Sequence, residues 1–289
     1  MNDFNDFYKL MQRELILQGK APKTQDCYLR TLRRIRDNLA KGLDELTPED
    51  LKVYFAELLQ TYSWSTAKAD RAALMFFYHY VLKRDWVWID ILKPKRESKI
   101  PNILSQEEVF RLLSCVKKEQ YRVCLASIYS MGLRLSEGLN IGTGDICKNR
   151  MRLHVRNSKG AKDRLVPMPE STYQVLRKFW VNHRNKKLLF PTLNSTPTAA
   201  KVMDRGGLQL AFRLAAEEAN IPRHVCIHSL RHSYATHLLQ SGVSLLLIQK
   251  ILGHSSPVTT TIYVRISQVT ETNCDKIIDK MMVDISSLF

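Results

Sequence analysis

Helical periodicity runs along this chain from residue 4 to about residue 85, stops over Lys93-Pro94-Lys95-Arg96-Glu97-Ser98-Lys99-Ile100-Pro101, and starts again beyond it. Two prolines and four cations without an apolar period suit neither a helix nor a buried strand, so the stretch reads as an exposed linker. A chain interrupted in this way has to build a core on each side. With 289 residues, 45% of them apolar, it has material for both. Two domains are therefore expected, residues 1–92 and 103–289, with 93–102 joining them.

Before the linker, FNDFYKLMQRELIL, TQDCYLRTLRRIRDNLA, LTPEDLKVYFAELLQTY and STAKADRAALMFFYHYVL each repeat apolar residues every three and four positions, which predicts a small helical bundle. At Thr47-Pro48-Glu49-Asp50 a hydroxyl can cap orphan amides, proline suits the first turn, and the acids suit the positive end of the helix dipole. After the linker, Ser105-Gln106-Glu107-Glu108 has capping-box spacing ahead of a VFRLLSCV helix. Near residue 150 the period falls to two. There MRLHVRN and DRLVPM flank Ser158-Lys159-Gly160-Ala161-Lys162, the pattern of an antiparallel β-hairpin. Helices return from PESTYQVLRKFWVNHR onward, and LRHSYATHLLQSG and SLLLIQKILG each close on a glycine suited to a C-terminal cap. The expected fold is mainly α with a small antiparallel β-hairpin or sheet, an α+β class.

A formal charge of +16 favours a polyanionic partner, nucleic acid or an anionic membrane surface. No apolar run reaches the roughly 18 residues of a spanning helix, and MNDFNDFYKL lacks the marks of a signal peptide. The six cysteines are scattered without a CxxC pair, as expected of reduced thiols in the cytosol. The cationic excess is local: Lys148 to Leu188 carries +10, whereas residues 1–90 carry +1. Single surface cations are usually solvated. A whole basic hairpin with its following helix reads better as a phosphate-binding face, because each neutralised phosphate releases counterions. The candidates for DNA contact are Arg33 and Arg34 on an arginine-rich helix, and Lys148, Arg152, Arg156, Lys162 and Arg164 about the hairpin.

Five segments carry chemistry: GLRLSEGLNI, SKGAKDRLVP, HSLRHSYATHLL, LGHSS and TTTIYVRI. Taken singly each has a bland reading, a core histidine, a surface arginine or a packed tyrosine. His228 and Arg231 lie three apart near a helix start, sharing a face and close to amides that attract anions. His224, Cys226 and His228 alternate, but three ligands at period two face both sides of an extended segment, so zinc is set aside.

Together and in this order, the five segments resemble the catalytic domain of the tyrosine recombinase family, the phage-integrase and Xer-type site-specific recombinases, over roughly residues 103–270. The preceding helices resemble that family's amino-terminal core-binding domain, and the two together imply a C-shaped clamp. The resemblance implies that Tyr263 is the nucleophile and that Arg134, Lys159, His228, Arg231 and His254 surround the scissile phosphate. It casts Arg134 and Arg231 as a guanidinium clamp, His228 as base, Lys159 (or Lys162) as acid, His254 as donor to a nonbridging oxygen, and Glu137 as a partner that orients neighbours. No metal or other cofactor is expected, since fixed cations can stabilise the transition state. The expected partners are double-stranded DNA and further copies of the chain in a tetramer, within a prokaryotic cytosol. A type IB topoisomerase-like relaxase and a non-catalytic DNA-binding regulator are the competing readings. This chain departs from many relatives at Ser256 and at Val264-Arg265, and Arg265 can add a phosphate or protomer contact. A tail helix from about residue 268 is expected to dock on a neighbouring subunit or on its own chain.

Overall fold

The computed structural model describes residues 4–39, 41–86, 101–158, 162–192 and 201–253. The chain divides into two units, Met1–Ser98 and Lys99–Phe289. In the first, α1 (Phe4–Leu17), α2 (Pro22–Asn38), α3 (Pro48–Thr61) and α4 (Trp64–Phe76) bury one apolar stripe each. Met11, Leu15, Leu32, Ile35, Leu51 and Leu74 are fully enclosed among them. The capping box at α3 is formed: Asp50 N–H donates to the Thr47 hydroxyl at 3.2 Å, and Thr47 N–H donates back to Asp50 Oδ2 at 2.9 Å. The periodicity of STAKADRAALMFFYHYVL predicts one uniform helix, but α4 passes into a π-helical segment, Phe77–Leu82. The wider turn keeps two consecutive aromatics inward. Phe77 meets the Phe7 ring edge-on at 5.6 Å, and the Tyr78 hydroxyl donates to the Leu46 carbonyl at 3.2 Å.

One charged group lies inside this bundle. Asp70 of α4 is 1% exposed, and it accepts from Thr31 Oγ1 at 2.7 Å, Tyr54 Oη at 2.7 Å and Arg34 Nη1 at 2.5 Å. Both oxygens of the carboxylate thereby accept hydrogen bonds, one of them from a guanidinium, which is what keeps such a group stable out of water.

The second unit opens with α5 (Gln106–Ser114), whose Ser105–Glu108 capping box is also formed. Then follow α6 (Glu119–Met131), the short α7 (Leu135–Leu139), a three-stranded sheet, α8 (Glu170–His183), α9 (Arg205–Glu218), α10 (Ile227–Gln240) and α11 (Leu245–Leu252). The sheet is antiparallel in the order β1 (Ile146–Cys147), β2 (Arg152–Ser158), β3 (Lys162–Pro167). Strands β2 and β3 pair Arg152 with Pro167 and Val155 with Arg164, then shift register before Ser158. The two-residue β1 was not expected; it has too little sequence to show a period.

Helix α10 is enclosed on several sides, with Leu230, Arg231, Ser233, Ala235 and Thr236 all buried. It packs on α6 and α11, while α11 packs on β3. Ser233 accepts from Leu104 N–H and donates to the Ser229 carbonyl, both at 2.8 Å, so this buried hydroxyl is satisfied and pins the start of the unit. Mainly helical architecture with one small antiparallel sheet is the fold class the sequence predicts. Among the described residues no helix is long and apolar enough to cross a membrane.

Candidate active site

The turn between α6 and α7 begins with Gly132, the left-handed cap of α6 at φ +60°. A Cβ there would stand 2.5 Å from the Tyr234 ring, so the close approach of α6 to α10 requires glycine. Arg134 follows as the residue capping α7. Its backbone N–H donates to Glu137 Oε2 at 2.7 Å, its Nη1 donates to Glu137 Oε1 at 2.7 Å, and its Nη2 reaches the Gly253 carbonyl at 3.2 Å.

Glu137 gathers two more arginines. Arg164 from β3 grips both its oxygens at 2.8 Å, and Arg231 from α10 lies 3.7 Å from Oε2. The remaining bonds of these guanidiniums go to the end of α11 and to Gly132. Arg164 Nε donates to the Ile251 carbonyl at 2.9 Å, Arg231 Nη2 to the Leu252 carbonyl at 2.6 Å, and Arg231 Nη1 to the Gly132 carbonyl at 2.8 Å. The last carbonyls of a helix have no partners of their own and carry partial negative charge. Three arginines cap one helix terminus here. Gly253, at φ +64°, closes α11, and a Cβ on it would press to 2.8 Å from Arg164 Cδ.

The electrostatic balance of the cluster is uneven. Among the described residues three guanidiniums share one carboxylate, an excess of two positive charges around a group whose side chain is 6% exposed. Burial pushes the Glu137 carboxyl upward, but the Arg164 bonds, the Arg134 amide and the surrounding positive charge outweigh it and hold it at about 2. The carboxylate is ionised at any working pH. Exposure separates the arginines: Arg134 keeps 23% of its side chain in solvent, Arg164 9% and Arg231 1%. The two-armed clamp expected of Arg134 and Arg231 is thus unequal, with Arg134 at the surface and Arg231 beneath it.

His228 stands one turn before Arg231 on α10, with part of its ring at the surface. Desolvation of its packed side, then the Arg231 and Arg134 charges, lower its pKa below 6.5. His232, which sequence reading passed over, sets its ring edge-on to His228 at 4.6 Å; burial, His228 and Arg231 depress it to about 4. Both imidazoles are therefore neutral near pH 7.

One expected DNA contact is corrected by this geometry. Arg164 faces inward on Glu137 and serves as a counter-ion inside its unit, whereas Arg34 pairs with buried Asp70 and keeps 25% of its side chain in solvent. Strand alternation carried the signal for the correction: Arg164 shares its face with Val166 and Met168, both buried. Arg33, Lys148, Arg152 and Arg156 are exposed. Arg156 pairs with Asp145 at 2.6 Å, and Arg33 lies over the Tyr8 ring and donates to its hydroxyl. Lys162 begins β3. Lys159, His254, Tyr263, Arg265 and the tail from residue 268 lie outside the described residues.

A family model described as Phage integrase family matches residues 102–283, and one described as Phage integrase, N-terminal SAM-like domain matches residues 7–88. The chain is 34% identical over 260 residues to the putative integrase/recombinase y4qK of Sinorhizobium fredii, covering 89% of this chain and 83% of that one. It is 31% identical over 271 residues to the tyrosine recombinase XerA of Thermococcus kodakarensis, covering 92% and 93%. Its fold is similar to that of a lambda integrase tetramer solved on a Holliday junction, with TM-score 0.71 at 16% identity over 90% of this chain and 76% of that one.

Proposed function

The chain belongs to the phage integrase family of tyrosine recombinases, and from that premise we propose that it cuts and rejoins DNA strands through a 3′-phosphotyrosyl intermediate on Tyr263. The observation that supports this most is the excess of two positive charges around Glu137, with Arg134 opening to solvent. A buried excess of that kind calls for an anion. At about 4 Å and an effective dielectric near 20, a guanidinium attracts a phosphate by about 4 kcal/mol. Because the charge is fixed before reaction, it favours the pentacoordinate phosphorus, which is more negative than the ground state.

In the proposed step the Tyr263 phenol oxygen attacks the scissile phosphorus and gives its proton to neutral His228. The bond from phosphorus to the 5′ oxygen breaks, and that oxygen takes a proton from Lys159, with Lys162 the alternative donor. Arg134 grips the nonbridging oxygens, Arg231 supplies charge from below, and His254, which follows Gly253 in the chain, donates to the same phosphate. The retained phosphotyrosyl bond lets a 5′-hydroxyl from a second strand reverse the reaction, so exchange passes through a Holliday junction and needs no ATP. The guanidiniums supply the positive charge that a divalent metal supplies in other phosphoryl-transfer sites. Double-stranded DNA and a tetramer of this chain on it are the proposed partners, and a prokaryotic cytosol the proposed setting.

A nicked suicide substrate tests the reading. Wild type is expected to form a DNA-linked species on a denaturing gel with excess EDTA present, and Tyr263→Phe is expected to bind without forming it. Binding by both proteins with no adduct from either overturns the strand-transfer reading in favour of a DNA-binding regulator. An adduct followed by relaxation of supercoiled DNA, with no exchange between duplexes, points to a topoisomerase-like relaxase.

A further inference from the structure

The cluster poses a problem that its catalytic reading leaves open. A carboxylate beside two phosphate-binding arginines repels the phosphate and holds the arginines to itself, yet Glu137 sits within bonding or ion-pair reach of both Arg134 and Arg231. Arg164 changes that balance. Among the described residues it is the partner that grips both carboxylate oxygens through its side chain, at 2.8 Å each, so both of its terminal nitrogens are engaged on Glu137. Its third bond, to the Ile251 carbonyl, fixes the fork on the side of Glu137 where β3 meets α11.

We infer that Arg164 is a positioning residue of the strand-transfer site: it neutralises Glu137, so that the charge of Arg134 and Arg231 is left for the scissile phosphate. Glu137 then orients Arg134 through a backbone and a side-chain bond without cancelling its charge. A lysine at 164 retains the charge but cannot grip two oxygens and a carbonyl from one planar group. Its lone ammonium leaves Glu137 to draw more closely on Arg134. This inference rests on the proposed strand-transfer function.

The test compares Arg164→Lys, Arg164→Met and the double variant Arg164→Met with Glu137→Gln, in the full chain. Single-turnover strand scission is measured on a phosphodiester substrate and on one with a neutral methylphosphonate at the scissile position. Replacing a nonbridging oxygen by methyl removes the charge that Arg134 and Arg231 meet, so the second substrate does not depend on their being free. Arg164→Lys and Arg164→Met are expected to lose about 10- to 100-fold on the phosphodiester, the usual loss when a partner orienting a functional group is removed. They are expected to lose less than about threefold on the methylphosphonate, well below that range. The double variant is expected to regain part of the phosphodiester rate, because the carboxylate to be neutralised has gone. Equal losses on both substrates, no loss at all, or no recovery in the double variant overturn the assignment. If wild type binds DNA and cuts neither substrate, the strand-transfer reading itself has failed and the inference falls with it.

Discussion

Among the described residues each unit of this protein buries a carboxylate against arginine, and the two clusters differ in their balance of charge. Asp70 has one guanidinium and two hydroxyls, so its charge is matched and both of its oxygens are bonded. Among the described residues Glu137 has three guanidiniums and no hydroxyl, an excess of two positive charges. The first arrangement balances its charge inside the folded chain. The second leaves a positive excess, which the proposed function assigns to a phosphate. Buried ion pairs are weak evidence of stabilisation by themselves. Charge balance is where the two clusters differ, and perturbed charge is commoner at functional sites.

The sharpest break of this comparison is to remove one arginine from each cluster. Arg134→Ala is expected to lower single-turnover DNA cleavage by about 10²- to 10³-fold, the usual loss of one transition-state donor, while binding survives. Arg34→Ala is expected to leave the cleavage rate of the folded protein within about threefold of wild type, since it lacks any such donor role. A comparable loss from Arg34→Ala would erase the distinction. Stability gives the converse. Asp70→Ala strips Thr31, Tyr54 and Arg34 of their shared acceptor at once and is expected to destabilise the protein by about 3 kcal/mol in urea unfolding, the scale of a broken buried pair. A change below about 0.5 kcal/mol, ordinary for a surface site, would show that the cluster contributes little.

Acid sharpens the contrast further. The Glu137 carboxyl lies at about 2 in the folded state, against about 4.3 unfolded. Its contribution to stability is therefore fully present above the unfolded value and is lost as pH falls toward 2. The difference in unfolding free energy between wild type and Glu137→Gln is expected to shrink steadily below roughly pH 4.5, the unfolded carboxyl range. A difference constant from pH 6 to 3 would contradict it. His228, lowered below 6.5, is neutral at pH 7, so the acid limb of the cleavage profile is expected below that value. The smallest effect belongs to the open cations. Arg152→Ala is expected to weaken DNA binding alike on specific and unrelated sequences and to reduce the slope of log affinity against log salt by about 1.

Some of this contrast could be read before folding, and some could not. Arg164 stands at an inward strand position beside Val166, and Arg34 lies three residues after buried Thr31 on α2. Periodicity therefore turns both toward the core, and a guanidinium drawn partly out of water demands an acid. Basic composition around the hairpin pointed the other way, toward DNA, and concealed that demand. His232 was hidden differently: a second histidine four residues from His228 looks redundant until α10 proves to be enclosed on several sides. The π-helical segment and β1 left no trace that local period can detect.

What the sequence determined alone is what local physics sets: the division into two cores, the helices and their capping boxes, the hairpin, and the order of the residues that carry the family's chemistry. Tertiary structure decided which arginines meet a carboxylate and how many meet the same one. That balance depends on groups far apart along the chain, Arg164 meeting Glu137 across 27 positions and Arg134 meeting the Gly253 carbonyl across 119. Helical and strand periods fix the face a side chain occupies. They carry no information about what the opposite face will bring to it, and electrostatics acts on that meeting.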